Sequence, residues 1–324
     1  MNYSNNTEPF NFAIPMATQL QDIIYLVLYP ISGVVAVLGN VFVCWVFIRN
    51  KLLHTPTNMM LLNLAVIDEV TGHLLIIMSV FYNTGDFVKF GKGFQVAVTF
   101  VFMSLLNLFV IGVDRLLTLT YPLKYMKISD KTKCIVFIAS VWISGMFASY
   151  IVFYSGSSVV IIDCGVYVTT VSSMSVDIVI GVSIVFTIGI HAKVYFIASN
   201  QARRISESQV QGRKKHNINV KAIKTTLFVL GAFVVCYIPS LVYRYSSYTC
   251  SPLGGKHTAD VFAVVFYISM SGSTVNPIIY SLRKKEFKKQ ILNIFNRCGL
   301  CRKHQASAEM SMSMSVTRTA IRED

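Results

Sequence analysis

The stretch TFVFMSLLNLFVIGVDRLLTLTYPLKY, residues 99–125, decides the reading of the chain: an apolar run closes on an adjacent acid and base, Asp114 and Arg115, then on Tyr121, Pro122 and Lys124. An apolar run of this length reads as a membrane span, because a hydrocarbon core of about 30 Å takes about 20 residues of helix. Six more stretches qualify, and the spans read as residues 22–48, 58–82, 92–119, 134–156, 170–198, 222–247 and 258–281. Composition agrees: 54% of the 324 residues are hydrophobic, 14% are charged and the mean hydropathy is +0.57, outside the usage of water-soluble domains. No connection is long enough for a second folded domain. The expectation is an all-α membrane protein: an outer N-terminal segment 1–21, a seven-transmembrane helix bundle 22–281, an amphipathic helix on the inner leaflet 282–297 and a disordered cytoplasmic tail 298–324.

Lysine and arginine in short loops are retained on the cytoplasmic side, so their distribution sets orientation. They cluster after the first span (Arg49, Lys51), the third (Lys124, Lys127, Lys131, Lys133), the fifth (Arg203, Arg204, Arg213, Lys214, Lys215) and the seventh (Arg283, Lys284, Lys285, Lys288, Lys289). The other side holds only Lys89, Lys92, Arg244 and Lys256. The expected topology is multi-pass in the plasma membrane, with the N-terminus extracellular. The net charge of +14 then reflects contact with anionic membrane lipid, and gives no reason to invoke nucleic acid. Sequons at Asn2 and Asn5 fall on the predicted outer side, where N-glycosylation is expected. The first ten residues carry no basic start and no apolar core, so no cleavable signal peptide is expected. Of the seven cysteines, Cys164 and Cys250 lie where disulfides persist, and they either bridge each other or remain free thiols.

Ionisable side chains are expensive in hydrocarbon and usually face the interior. Asp68 falls near the middle of the second span, and Asn40 and Asn276 lie in the first and seventh. If those faces converge, both asparagines donate to the Asp68 carboxylate and Ser104 joins them. The group is either a polar clamp between helices or a hydrated pocket that rearranges or holds a cation. Pro277, next to Asn276, and Pro239 in the sixth span each free a backbone carbonyl and bend their helices. Phe233 and Tyr237 are expected to stack inward on the turns before Pro239. At the rim of the third span Arg115 either snorkels to phosphates or forms a latch, held by Asp114 in one state and released toward the cytoplasm in another.

These residues stand one set per span, in order: Gly39-Asn40; NLAVID ending at Asp68; Ser104 followed by VDRLLTLTYPLKY; Trp142; Tyr195; CYIP, Cys236 to Pro239; and NPIIY, Asn276 to Tyr280. In register across the whole chain, they resemble the rhodopsin-type (class A) G-protein-coupled receptors. The resemblance implies that an extracellular ligand favours a state in which the sixth helix pivots outward near Pro239, with Leu105, Phe233 and Tyr237 transmitting the change. A cleft then opens where Arg115, Tyr195 and Tyr280 meet a G-protein α subunit. It also implies a sodium ion beside Asp68, Ser104 and Asn276, although Gly272 stands where the family often has asparagine. No other cofactor and no metal centre is expected.

Departures narrow the resemblance. No cysteine lies between Cys44 and Cys134, so the family's usual outer disulfide is excluded; Thr187 replaces the proline of the fifth helix; and the outer loop before it is short. Together these resemble melanocortin receptors and their lipid- and adenosine-binding relatives, without the acidic cluster used for basic peptides. Tyr237 replaces the usual tryptophan of the sixth helix. By resemblance, Ala97 stands where amine receptors carry an aspartate and Met270 where opsins carry the retinal lysine, so neither an amine nor retinal is expected. Charged residues near the outer half are Asp177, Arg244, His257 and Asp260; Arg244 either anchors an anionic ligand or pairs with Asp177 or Asp260. Asn219 replaces an acid that in some members restrains the arginine, which implies measurable basal signalling.

After the seventh span, apolar residues interleaved with basic ones from Leu282 to Phe295 form the surface helix. Cys298 and Cys301 follow it and are the expected palmitoylation sites. Serines and threonines from Ser311 to Thr319 offer phosphorylation sites to a receptor kinase, readable by arrestin. An enzyme finds no support, since no nucleophile with a base and no metal-spaced cluster is present. The rival from another class is a transporter or channel, which predicts an internal repeat or a polar stripe through several spans; neither is visible.

Overall fold

A computed structural model describes residues 19–125, 127–128, 130–154, 160–162, 165–167, 171–208, 220–248, 258–283 and 287–291. Seven long helices account for most of them: α1 (Gln19–Arg49), α2 (Pro56–Asn83), α3 (Phe87–Thr120), α4 (Asp130–Tyr154), α5 (Val171–Ser208), α6 (Val220–Tyr248) and α7 (Thr258–Arg283). Each carries an apolar window long enough to cross a bilayer, and the chain is a multi-pass membrane protein. Helix ends lie within a few residues of the expected span ends except at α5, which runs on to Ser208. Its last turns are polar, and hydropathy marks where hydrocarbon ends, not where a helix does.

One element was not expected. Strands β1 (Val160–Ile162) and β2 (Gly165–Tyr167) pair antiparallel, Val160 opposite Tyr167 and Ile162 opposite Gly165. Their β-branched and aromatic residues suit a strand in the loop between α4 and α5. Asn2, Asn5, Cys164, Asn219, Cys250, His257, Cys298 and Cys301 lie outside the described residues. Of the expected surface helix, residues 287–291 are helical, and Phe287 is buried with its ring 6.4 Å from that of Tyr280.

Local chemistry fixes the helix starts. Thr55 caps α2, its hydroxyl accepting from the Asn58 amide at 3.4 Å, with Pro56 in the first turn. Between α2 and α3, Gly85 takes φ +69°, which only glycine adopts without strain. Asp86 then caps α3, accepting from the Lys89 amide at 3.1 Å and pairing with the Lys89 ammonium at 2.7 Å. The hydrogen bond from Lys89 lowers the Asp86 carboxyl below its ordinary range.

Large apolar side chains point outward on every helix, among them Leu38, Ile143, Val185, Val235 and Ile278, as hydrocarbon surroundings require. Inside, two apolar clusters stack along the bundle. One joins Tyr29, Met78, Ala97, Leu105, Ile180, Tyr237, Phe266 and Met270; the other joins Val46, Leu64, Leu108, Ile111, Val229, Leu230 and Tyr280. The second lies toward the end carrying Arg49, Arg115 and Arg283, called here the basic end. At the α1–α2 seam backbone meets backbone: a Cβ on Gly33 would lie 2.7 Å from the Gly72 carbonyl oxygen, and one on Gly72 would lie 2.9 Å from that of Gly33.

Candidate functional site

The sequence placed Asp68 at the middle of the bundle, and α2 holds it there, 1% exposed. Two donors from α7 reach it: Asn276 Nδ2 to Oδ2 at 2.6 Å and Ser273 Oγ to Oδ1 at 2.8 Å. Ser104 of α3, also buried, faces the same carboxylate. Asn40 does not donate to Asp68, contrary to expectation. Its Nδ2 binds the Ala36 and Ser273 carbonyls at 2.9 and 3.2 Å.

The reason is Pro277. A proline in a helix removes the hydrogen bond to the carbonyl four residues before it, here that of Ser273. Gly39 leaves room for the proline ring, since a Cβ there would lie 2.9 Å from Pro277 Cγ. Asn40, one residue on, satisfies the freed carbonyl. Asn40 Oδ1 is buried without a hydrogen-bond partner. Ser273, which links Asn40 to Asp68, escaped the sequence reading; the offset of four from Pro277 was its available signal.

At the basic end Asp114 is buried, and its partners are not those expected. Thr57 Oγ1 donates to Oδ2 at 2.7 Å and Tyr125 OH to Oδ1 at 2.6 Å. Tyr125 closes a one-turn helix, Pro122–Tyr125, so Asp114 anchors the loop after α3. Burial, then the hydrogen bond to Asp114, pushes the Tyr125 phenol well up, so it stays a donor at any physiological pH. Lys133 lies over the same ring at 4.2 Å and pairs with Asp130 at 3.2 Å. No ion pair joins Arg115 to Asp114 among the described residues, and Arg115 Nε is buried without a partner. The expected hold of Arg115 by Asp114 is not formed: hydroxyls hold the acid, and the base carries an unspent donor.

Tyr195 and Tyr280 do not meet at Arg115 in this conformation. Tyr195 points outward with its ring 6.3 Å from Phe196, while Tyr280 is buried with its hydroxyl unpartnered. The basic end is closed by apolar contact, with Leu108 and Ile111 of α3, Val229 and Leu230 of α6 and Tyr280 of α7 in one cluster.

A second polar network, unforeseen except for Trp142, ties α2, α3 and α4. Asn63 Nδ2 donates to Asn107 Oδ1 at 2.9 Å, Asn107 Nδ2 to the Met60 carbonyl at 2.9 Å, and Trp142 Nε1 to Asn63 Oδ1 at 2.9 Å. Trp142→Phe keeps the packing and removes one donor. It should cost about 1 kcal/mol, read as a lower melting temperature of the detergent-purified protein.

In the half away from the basic end, Ala97, Leu105, Tyr237 and Met270 share one core, with Phe233 packed against it. Phe233 and Tyr237 stack, ring centroids 5.7 Å apart and 20° from parallel. Phe94, Phe262 and Phe266 form an aromatic group above them, and the Arg244 guanidinium lies 5.9 Å from the Phe94 ring. The Asp177 side chain is not among those described. Thr187 in place of the usual α5 proline back-bonds to the Ser183 carbonyl at 2.7 Å, and His191 one turn on packs against Gly112 of α3.

Comparison with known proteins agrees with this geometry. The profile of the "7 transmembrane receptor (rhodopsin family)" matches residues 39–280. The histamine H2 receptor of Canis lupus familiaris is 27% identical over 307 residues, covering 89% of this chain and 84% of that protein. The adenosine receptor A2b of Mus musculus is 24% identical, covering 93% of this chain and all of that one, and the mouse melanocortin receptor 5 is 24% identical, covering 81% of each. A profile spanning Gly39 to Tyr280, laid over seven membrane helices with a buried Asp68–Asn276 pair and Pro277 inside α7, leaves one conclusion: the chain belongs to the rhodopsin family of seven-transmembrane receptors and is a G-protein-coupled receptor.

Proposed function

We propose that the receptor lies in the plasma membrane with its basic end in the cytoplasm, and that a ligand bound at the far end drives nucleotide exchange on a heterotrimeric G protein by outward movement of α6. The observation that carries this reading is the apolar closure of the basic end beneath Pro239, with the unspent Arg115 donor beside it. Withdrawing Val229 and Leu230 from that cluster costs about 3–6 kcal/mol at about 1.5–3 kcal/mol per side chain. Ligand and G protein must together supply that difference, each through its preference for the open state. With Asn219 where some members carry a restraining acid, apolar contact does the holding, and some basal exchange is expected. Family membership argues against the transporter reading.

The ligand is read as largely apolar and without an ammonium group. What supports this is the apolar and aromatic core around Ala97, Tyr237, Phe266 and Met270. The three relatives are named for different ligand classes at similar identity, so overall likeness does not choose among them. N-glycans at Asn2 and Asn5, palmitate at Cys298 and Cys301, and recognition of a phosphorylated tail by arrestin belong to the same reading.

The residues around Asp68 also fit a sodium ion. Asp68, Ser104 and Ser273 would hold it, a carboxylate and two hydroxyls being the all-oxygen donor set a hard cation takes. Such an ion would neutralise the buried carboxylate. Sodium should therefore alter basal exchange relative to N-methylglucamine at equal ionic strength, and Asp68→Asn should abolish that response. An undiminished response in the variant counts against the site.

The test of the main reading is GTPγS incorporation in membranes carrying this receptor with a panel of α subunits. Exchange above receptor-free membranes, with one class of subunit, is expected. Equal incorporation with every subunit, at verified surface expression, would sink the proposal of spontaneous coupling.

A further inference from the structure

The outward face of α2 carries an ionisable pair that the receptor mechanism does not use. Glu69 Oε1 lies 3.1 Å from His73 Nδ1, one helical turn on, and the side chains are 28% and 53% exposed. Glu69 is the fourteenth of the 28 residues of α2, so about 20 Å of helix extends to either side of it. The pair thus sits at the middle of the hydrocarbon layer, beyond the reach of either headgroup region for side chains so short. Ionisable groups at that depth normally face the bundle interior or find a polar partner. Here Val66, Ile77 and Val80 continue the same exposed stripe at intervals of three and four residues. Across the α1–α2 seam, the titratable group that feels the Glu69 charge is the Cys44 thiol, which is itself partly covered.

The hydrogen bonding shows what the pair lacks. His73 Nδ1 contacts both the Glu69 carboxyl and the Glu69 backbone carbonyl, at 3.1 Å each, so Nδ1 is the donor. His73 Nε2 and Glu69 Oε2 have no hydrogen-bond partner among the described residues. If the imidazole is charged, Nε2 offers a proton and Oε2 accepts one. If the pair is neutral, the carboxyl offers the proton and Nε2 accepts it. In either state the face presents one donor and one acceptor to lipid tails that can supply neither.

A two-fold axis along the membrane normal satisfies both, because it sets each donor against the partner's acceptor twice. We propose that the outward face of α2 is the interface of a symmetric homodimer within the bilayer. Glu69 and His73 of two copies close there into a ring of four alternating groups, flanked by Val66, Ile77 and Val80. Polar side chains are effective glue between membrane helices for this reason.

The test uses the full chain, fused to donor or acceptor fluorophores, purified as monodisperse protein and reconstituted at low density in phosphatidylcholine vesicles. Wild-type receptor should show saturable energy transfer. Glu69→His gives a face with two imidazoles and His73→Glu a face with two acids; each alone should associate about tenfold more weakly. Donor-labelled Glu69→His mixed with acceptor-labelled His73→Glu should recover wild-type transfer, since each then meets its complement. Wild-type transfer no higher than for an unrelated seven-helix protein, undiminished association of either variant alone, or failure of the mixture to recover would each overturn the proposal. Misfolding cannot produce the recovery, and only monodisperse variants enter the comparison.

Discussion

Arg115→Ala should bring basal GTPγS incorporation close to that of receptor-free membranes at matched surface level. Arg115 Nε is buried and unpartnered in the closed bundle, so the side chain forfeits little when truncated there. On the proposed mechanism its hydrogen bonds are made only in the open state, to whatever enters the cleft. Hydrogen bonds to a charged group are worth about 1.5–3 kcal/mol, which corresponds to a drop of about tenfold or more in productive complex. Because the closed state is hardly touched, surface expression and melting temperature should change little. Unaltered basal exchange would mean that Arg115 does not contact the G protein. A fall in exchange matched by a fall in thermal stability would assign it to packing instead.

Gly72→Leu should strip the receptor from the cell surface. Even a methyl group at this position meets the Gly33 carbonyl oxygen at 2.9 Å and the Ala36 and Val37 side chains at 3.0 Å. The oxygen belongs to the backbone of α1, so no rotamer change relieves the clash, and the seam must part. Overpacking of this kind costs about 1–3 kcal/mol or more. Separation also strains the adjoining contacts of Asn40 and Gly39 with α7. Surface labelling against total receptor reads the effect, and Gly72→Ala should fall between wild type and Gly72→Leu. Normal delivery of the leucine variant would show that α1 is free to move away from α2.

The spans were legible because hydrocarbon imposes a simple rule on composition. The convergence of Asp68, Asn276 and Ser104 was legible because so few polar groups occupy those spans. Partner assignment was harder. Asn40 looked like a third donor to Asp68, yet it serves a carbonyl that Pro277 exposes, and choosing between those acceptors requires knowing which residue faces α1. Asp114 and Arg115 looked like a pair because they are adjacent. Neighbours in a helix point about 100° apart, and the acid turns instead toward Thr57 and Tyr125, 57 residues before and 11 after it. Glu69 and His73 were passed over beside Asp68, although their spacing of four is the sequence sign of a pair on one face.

The tie between Asn40 and the Ser273 carbonyl gives α7 a fulcrum. Because α1 takes up the carbonyl that the proline frees, bending at this point breaks no further backbone hydrogen bond, and the two arms of the helix can swing about a pinned centre. The lower arm from Pro277 to Arg283 is about 9 Å long at 1.5 Å per residue, so a 10° swing carries its tip about 1.6 Å. The upper arm, which carries Met270 and Phe266, turns about the same point. On the proposed mechanism, a ligand that shifts those two side chains reaches the far end of α7 through this joint without touching it.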